Sequence, residues 1–200
     1  MRMLPLTLAN TAGTIRKLSE RTGNFFRMQS GYQPNVSLRL SRSTGGGPFD
    51  RTFFLSLPLE EQQLYMHGVD ALVTDVPEVC IAVSTADCVP VLLYAPDVKA
   101  VAAVHAGWRG TVLRIAGKTV RILMDEYGAD PRLMKAGIAP SIGPEAFEVG
   151  EEVVDAFREA GFEMSCILKR DADTGKAHID LWEANRLQLL TEAFRPEISN

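Results

Sequence analysis

The residues most able to do chemistry together in this sequence are Cys88 and His105. Cys88 lies in the phrase TADCVP at residues 85–90, and His105 begins the phrase HAGWRGT at residues 105–111. Each phrase follows a short apolar run. The segment from Cys88 to His105 is long enough for one strand and a second strand that returns beside it, so we expect the two side chains at neighbouring strand ends. Zinc and copper bind a thiolate and an imidazole, and an imidazole can instead activate a thiol as a nucleophile. The residues leave both chemistries open.

Four further positions were weighed for function. Arg109 follows the glycine of the second phrase, and arginine is the residue type that binds phosphate in a bidentate manner. Cys80 and Cys166 are interpreted as buried core thiols, since free cysteine packs as a small hydrophobe. His178 is interpreted as a structural histidine near the start of a helix, which the carboxylate of Asp180 is placed to cap.

Three short apolar runs predict the strands that display these phrases. The runs are rich in β-branched residues, which is typical of strands covered on both faces, and Pro90 indicates a strand start or a sheet edge. The predicted strands are residues 79–83, 89–94, 100–104 and 133–138, and the predicted helices are a segment of about 17 residues ending at Gly128, residues 151–160 and residues 181–194. Strands and helices in mixed order predict an α/β (α+β) fold.

The chain is predicted to form one domain over residues 1–200, with its core in residues 69–194. Residues 1–50 are predicted to be a degenerate or mobile N-terminal part. Within them, residues 14–21 have a weak helical pattern. Residues 37–48 combine serine, arginine and glycine without a burial pattern, so we predict a mobile loop there.

Composition excludes several classes of protein. The apolar fraction of 46% and the charged fraction of 23% are globular values, so disorder and coiled coil are excluded for the whole chain. The net charge of −4 argues against nucleic acid or an anionic membrane as the main partner, because both need a concentrated positive face. Three cysteines cannot all pair, and no apolar run reaches the roughly 18 residues of a membrane span. We therefore expect a reduced, cytoplasmic protein.

Six phrases, in order between residues 70 and 181, are those of a known family. They are DALVTD at 70–75, TADCVP at 85–90, HAGWRGT at 105–111, SIGP at 141–144, FEVG at 147–150 and HIDL at 178–181. The sequence resembles the bacterial laccase-domain family. That family was named for multicopper polyphenol oxidase activity and is now assigned as purine nucleoside phosphorylase with adenosine deaminase activity.

The resemblance implies a four-layer α/β/β/α sandwich with mixed sheets and a metal held by two histidines and one cysteine. The metal is usually zinc, with copper as the alternative. Carried over, the cysteine is Cys88 and the second histidine is His105. The first family histidine stands in a Gln-x-His-Gly phrase, and the best match here has Asn35 at that position. Asparagine is a poor zinc ligand beside a thiolate, and His67 is a weaker substitute because it directly precedes the strand block.

The family's terminal phrases have no counterpart in this sequence. Family members carry an arginine- and glycine-rich segment before the first histidine, and Cys-Thr and Phe-Ser-x-Arg-Arg phrases after the last helix. We therefore expect a copy truncated at both ends, with an incomplete sandwich and uncertain activity.

The function implied by the resemblance is chemistry on purine nucleosides, with phosphate as the second substrate. It comprises phosphorolysis of adenosine, inosine and methylthioadenosine, with Arg109 as the candidate cation for phosphate. It also comprises deamination at C6 of adenosine by a water that the metal activates. Two alternatives remain: a metal-free hydrolase that uses Cys88 and His105, and a catalytically inactive binding domain.

Overall fold

The computed structural model describes residues 25–29, 37–41, 58, 60–61, 69–77 and 80–193. The helix predicted at residues 14–21, the later part of the loop predicted at residues 37–48, Asn35 and His67 lie outside the described residues. The elements, in chain order, are β1 (Phe25–Gln29), β2 (Ser37–Ser41), β3 (Val69–Thr74), β4 (Cys80–Ser84), β5 (Val89–Ala95), β6 (Ala100–Ala106), α1 (Trp108–Val112), α2 (Ile115–Asp125), β7 (Lys135–Ile138), β8 (Glu148–Val149), α3 (Glu151–Glu159), α4 (Met164–Ile167), β9 (Leu168–Arg170), β10 (Ala177–Ile179) and α5 (Leu181–Ala193).

A five-stranded mixed sheet in the order β2-β3-β6-β5-β7 is the centre of the fold. β2 runs parallel to β3, and the other neighbours are antiparallel. One face of the sheet packs against α2, and α5 packs on α2 in turn. Val91 and Leu93 of β5 and Val120 and Leu123 of α2 are buried between these layers. Burying a side chain of this kind stabilises a fold by about 1.5–3 kcal/mol. The predicted α/β class is confirmed.

The other face of the sheet is only partly covered. β4, which pairs in parallel with β1, lies over β3 and β6. Leu92 and Tyr94 of β5 point to the same side and are 37% and 41% exposed. The prediction that this strand is covered on both faces is therefore wrong. An apolar run shows that a strand is rich in hydrophobic residues, but its neighbours decide which of its faces is covered.

The segment at residues 37–41 is a second correction. We predicted a mobile loop, but Ser37–Ser41 forms β2 and pairs with β3. Its leucines alternate with polar residues in a two-residue period, which is a strand pattern even in a serine- and arginine-rich segment.

The long helix predicted before Gly128 is interrupted. α1 and α2 are separated at Arg114, whose φ of 59° lies in the left-handed region. The Arg114 guanidinium lies 4.4 Å from the ring centroid of Phe162 and donates a 2.8 Å hydrogen bond to the Ala160 carbonyl. These tertiary contacts offset the cost of the left-handed backbone. The apolar periodicity does not reveal the break: Leu113, the first position of the predicted pattern, lies between the two helices and is 39% exposed.

The predictions for the remaining polar residues have mixed outcomes. Cys166 is exposed on α4, where Ile167 faces inward instead, so its assignment to the core is wrong. Cys80 is partly buried at the start of β4, and burial raises the pKa of its thiol. Asp180 accepts a 2.9 Å hydrogen bond from the Glu183 backbone N–H, which confirms the predicted cap of α5. His178 lies in β10, just before that helix.

Within the described residues, no helix has the length and apolar character that a membrane crossing requires.

Candidate functional site

The register of β5 against β6 brings Cys88 and His105 together. Val89 pairs with Ala106 and Pro90 with His105, so Cys88, just before β5, lies beside Gly107, just after β6. A Cβ atom built on Gly107 would be 3.0 Å from the Cys88 Sγ and 3.7 Å from the His105 Cε1. The two residues singled out from the sequence therefore meet at one point, at the end of the sheet.

A carboxylate from a third strand joins this pair. Ala71 of β3 pairs with Val104 of β6, which sets Asp70 and His105 side by side on the two strands. The His105 Nδ1 and the Asp70 Oδ1 are 3.0 Å apart, and the two side chains are 15% and 13% exposed. The sequence analysis did not select Asp70. The available signal was its position at the head of the DALVTD phrase, but an aspartate at a strand start is common and carries no chemistry by itself.

These neighbours change the basicity of His105. Burial by itself lowers the pKa of His105, because it disfavours the charged ring. Hydrogen bonds with Asp70 and Cys88, together with the electrostatic attraction of both groups, raise the pKa of His105 to about 9 from its ordinary value of 6.5. A protonated ring nitrogen cannot bind a metal ion, so metal affinity at His105 falls as the pH is lowered.

Arg109 stands two residues from Gly107, on the first turn of α1. Its guanidinium carbon lies 4.1 Å from the centroid of the Trp108 ring, and its side chain is exposed. Stacking of this kind restrains a guanidinium. Arg109, the predicted phosphate-binding cation, thus lies on the helix that directly follows β6 and His105.

Buried hydrogen bonds hold α1 in place. The Asn185 side-chain amide donates to the Thr111 Oγ1 at 3.1 Å, and the Gln188 amide donates to the Thr111 carbonyl at 2.9 Å. The Thr111 hydroxyl donates to the Ala106 carbonyl at 3.4 Å. All of these hydrogen bonds are buried, so α5 fixes the short helix that carries Arg109 against the end of β6.

The loop after β7 also reaches this end of the sheet. The Ile142 N–H donates a 3.0 Å hydrogen bond to the carbonyl of Asp87, the residue before Cys88. The Trp182 indole N–H donates to the Ser141 Oγ at 2.6 Å. The SIGP phrase and the start of α5 therefore support the turn that displays Cys88.

Zinc and copper need more donors than this pair supplies. Among the described residues, no group of three or more histidine, cysteine, aspartate or glutamate side chains is placed to hold a metal ion. The third-ligand candidates, Asn35 and His67, lie outside those residues. Asn35 precedes Ser37, the first residue of β2, by two positions, and His67 precedes Val69, the first residue of β3, by two positions. Ser37 and Val69 pair with each other. The starts of β2 and β3 lie at the same end of the sheet as His105, so Asn35 and His67 are kept as candidates for the third ligand.

Comparison with known proteins decides the family. The family model for multi-copper polyphenol oxidoreductase laccase matches residues 52–199. The chain belongs to this family. The resemblance stated from the sequence phrases is thereby confirmed.

Relatives in this laccase-like family have names from nucleoside chemistry. The chain is 51% identical over 137 residues to a purine nucleoside phosphorylase of Bacteroides thetaiotaomicron, covering 68% of this chain and 51% of that protein. It is 49% identical over 137 residues to adenosine deaminase RL5, from an unknown prokaryotic organism, covering 68% and 52%. The chain thus spans about half the length of the curated relatives it matches. The crystal structure of YlmD from Geobacillus stearothermophilus superposes with a TM-score of 0.69 at 29% identity, over 91% of this chain and 64% of that one.

Gly107 provides a test of how tightly the site is packed. Its φ of −67° is open to any residue, so Gly107→Ala adds no backbone strain, and its cost is the 3.0 Å approach of the new Cβ to the Cys88 sulfur. We expect zinc affinity to fall and the free energy of unfolding to drop by about 1–3 kcal/mol, as for overpacking. Zinc titration and thermal unfolding measure both. Gly137→Ala is the control, because a Cβ there has no neighbour within 4 Å. Equal zinc affinity in the two variants would contradict this account.

Proposed function

We propose that this chain carries the site of a metal-dependent purine nucleoside enzyme. The enzyme would cleave adenosine, inosine and methylthioadenosine with phosphate and would deaminate adenosine. The observation that supports this most directly is the meeting of Cys88 and His105 beside Gly107, in a chain that is 51% identical over 137 residues to a purine nucleoside phosphorylase.

The donor types fit zinc, and copper second. A thiolate sulfur and an imidazole nitrogen are both common zinc ligands. The contact of Asp70 with the His105 Nδ1 leaves Nε2 to face a metal, and a carboxylate behind a ligating histidine is typical of zinc sites. A catalytic zinc takes three protein ligands, so the third must come from outside the described residues. Zinc bound there would supply an activated water.

Phosphorolysis assigns a separate task to Arg109. In this reaction a phosphate oxygen forms a bond to C1′ of the ribose, while the bond between C1′ and the base breaks and the base leaves with the electron pair. A guanidinium can hold the phosphate with two parallel hydrogen bonds and offset its charge. Arg109 is exposed on α1, four residues after His105 in the chain, and is restrained by Trp108, which suits this task.

Arg109→Gln separates the two reactions. Loss of a charge-assisted contact of about 1.5–3 kcal/mol predicts a KM for phosphate raised about 10-fold or more in inosine phosphorolysis. Adenosine deamination should be unchanged, because it uses no phosphate. Steady-state kinetics of both reactions measure this. Arg132→Gln is the matched control, because Arg132 is exposed ahead of β7 at the opposite end of the sheet. An unchanged phosphate KM would remove Arg109 from this role.

A metal-free Cys–His hydrolase is the second candidate. It is favoured by the hydrogen bond between Cys88 and His105 and by Asp70 on the Nδ1 side of the ring. This is the order of nucleophile, base and orienting group used in covalent catalysis.

One experiment separates these functions. Purified protein is analysed for bound zinc and copper and incubated with adenosine or inosine, with and without phosphate, while free base, ribose 1-phosphate and inosine are quantified. Bound zinc with phosphate-dependent base release supports the proposed function. A metal-free protein whose Cys88 is alkylated by iodoacetamide, and which releases no base, supports the hydrolase. If neither of these results is obtained, the chain is a catalytically inactive binding domain.

A further inference from the structure

We propose that Asp70 is a positioning residue, which fixes the His105 ring so that Nε2 faces the Cys88 sulfur. This inference rests on the proposed function, because the oriented nitrogen is the one that would bind zinc. It adds to the predicted Cys88–His105 pair a third residue, one that touches neither the metal nor the substrate.

The contact between Asp70 and His105 is rigid. Asp70 and His105 lie within β3 and β6, and β6 is a central strand with hydrogen-bonded neighbours on both sides. Both side chains are at least 85% buried, and the 3.0 Å contact joins the Asp70 Oδ1 to the His105 Nδ1. A hydrogen bond between two paired strands holds a ring more firmly than one from a loop.

The chemistry of the imidazole ring also favours a positioning role for Asp70. An imidazole has two nitrogens on opposite sides, and a carboxylate can only accept a hydrogen bond from a protonated nitrogen. Asp70 therefore keeps a proton on Nδ1 and leaves Nε2 as the donor atom for a metal. Gly107 leaves room at the Cys88 sulfur, because a Cβ there would lie 3.0 Å from that atom.

The contact between Asp70 and His105 is better explained by positioning than by stability. A buried charged pair is weak evidence for stability, since removing both charges from water offsets much of the attraction. The same contact placed behind a candidate metal ligand has a direct use, because outer-shell partners of this kind typically change metal affinity about 10–100-fold.

The test compares Asp70→Ala and Asp70→Asn with a matched control, Asp97→Asn. Asp97 lies in the turn between β5 and β6, at the opposite end of the sheet, and its Oδ2 also accepts a hydrogen bond, from the Asp130 N–H at 2.6 Å. The control therefore also removes one charge and weakens one acceptor. We expect zinc affinity to fall about 10–100-fold in Asp70→Ala, less in Asp70→Asn, and not at all in Asp97→Asn.

A second readout needs no metal. In metal-free protein with ¹⁵N-labelled histidine, the Nδ1–H of His105 should give a slowly exchanging downfield proton signal. His105→Gln assigns this signal. It should be lost in Asp70→Ala and kept in Asp97→Asn. A purely structural Asp70 would lower Tm and leave the zinc dissociation constant of the folded protein unchanged.

Each outcome decides the inference. A folded Asp70→Ala with wild-type zinc affinity, or with the signal retained, overturns it. If Asp70→Ala does not fold, Asp70→Asn replaces it, and wild-type zinc affinity in that variant overturns the inference. If the wild type binds no zinc, the proposed function fails, and the proton signal alone decides: loss in the Asp70 variants supports positioning, and retention overturns it.

Discussion

Cys88→Ser is expected to abolish zinc binding and both nucleoside activities while leaving the fold intact. A serine hydroxyl is a much poorer zinc ligand than a thiolate, so the loss of affinity should exceed the about 10–100-fold that an outer-shell change costs. The free energy of unfolding of the metal-free protein should change by no more than about 1 kcal/mol, because Cys88 is only partly buried just outside β5. Metal analysis, activity assays and denaturant unfolding measure the three quantities.

The other two cysteines serve as matched controls. Cys80→Ser places a hydroxyl inside β4, at a position where burial raises the pKa of the thiol, and should destabilise the fold by about 1–3 kcal/mol with unchanged zinc content. Cys166→Ser, on the exposed side of α4, should change neither quantity. If Cys80→Ser and Cys88→Ser reduced zinc content equally, the distinction between a structural and a ligating cysteine would be wrong.

Asn35→His is expected to strengthen zinc binding by more than about 10-fold, because a direct ligand contributes more than an outer-shell partner. With asparagine at this position the site has two strong ligands, whereas catalytic zinc takes three and a water. The chain two residues later forms β2, whose Ser37 pairs with Val69 next to Asp70. Ser37 therefore begins β2 at the same end of the sheet as Asp70 and His105. Zinc titrations of the wild type and of Asn35→His, with Cys88→Ser as the blank, measure the change.

His67→Ala is the counterpart of this test. If the wild type already binds one zinc tightly and Asn35→His adds nothing, another residue completes the site, and His67 is the first candidate. His67→Ala would then lose zinc, whereas it should keep wild-type affinity if residue 35 occupies the ligand position. His67 precedes Val69, the first residue of β3, by two positions. Asn35 precedes Ser37, the first residue of β2, by the same number.

The sequence by itself determined the family, the α/β class and the pair of candidate functional residues, Cys88 and His105. Strands such as β5 and β6 could be predicted because short β-branched apolar runs leave few alternatives. The meeting of Cys88 and His105 followed from the same local information, since residues just before and just after two adjacent antiparallel strands must meet at one end.

Only the tertiary structure decided how that pair is supported and what surrounds it. Asp70 reaches His105 because β3 lies beside β6. The two residues are 35 positions apart in the chain, and no local sequence pattern specifies that their strands pair. Arg114 interrupts the predicted long helix because Phe162 and the Ala160 carbonyl receive its side chain. Cys166 is exposed because the short α4 turns Ile167 inward instead. Each of these outcomes depends on contacts between distant residues, whereas periodicity and composition report only on near neighbours in the chain.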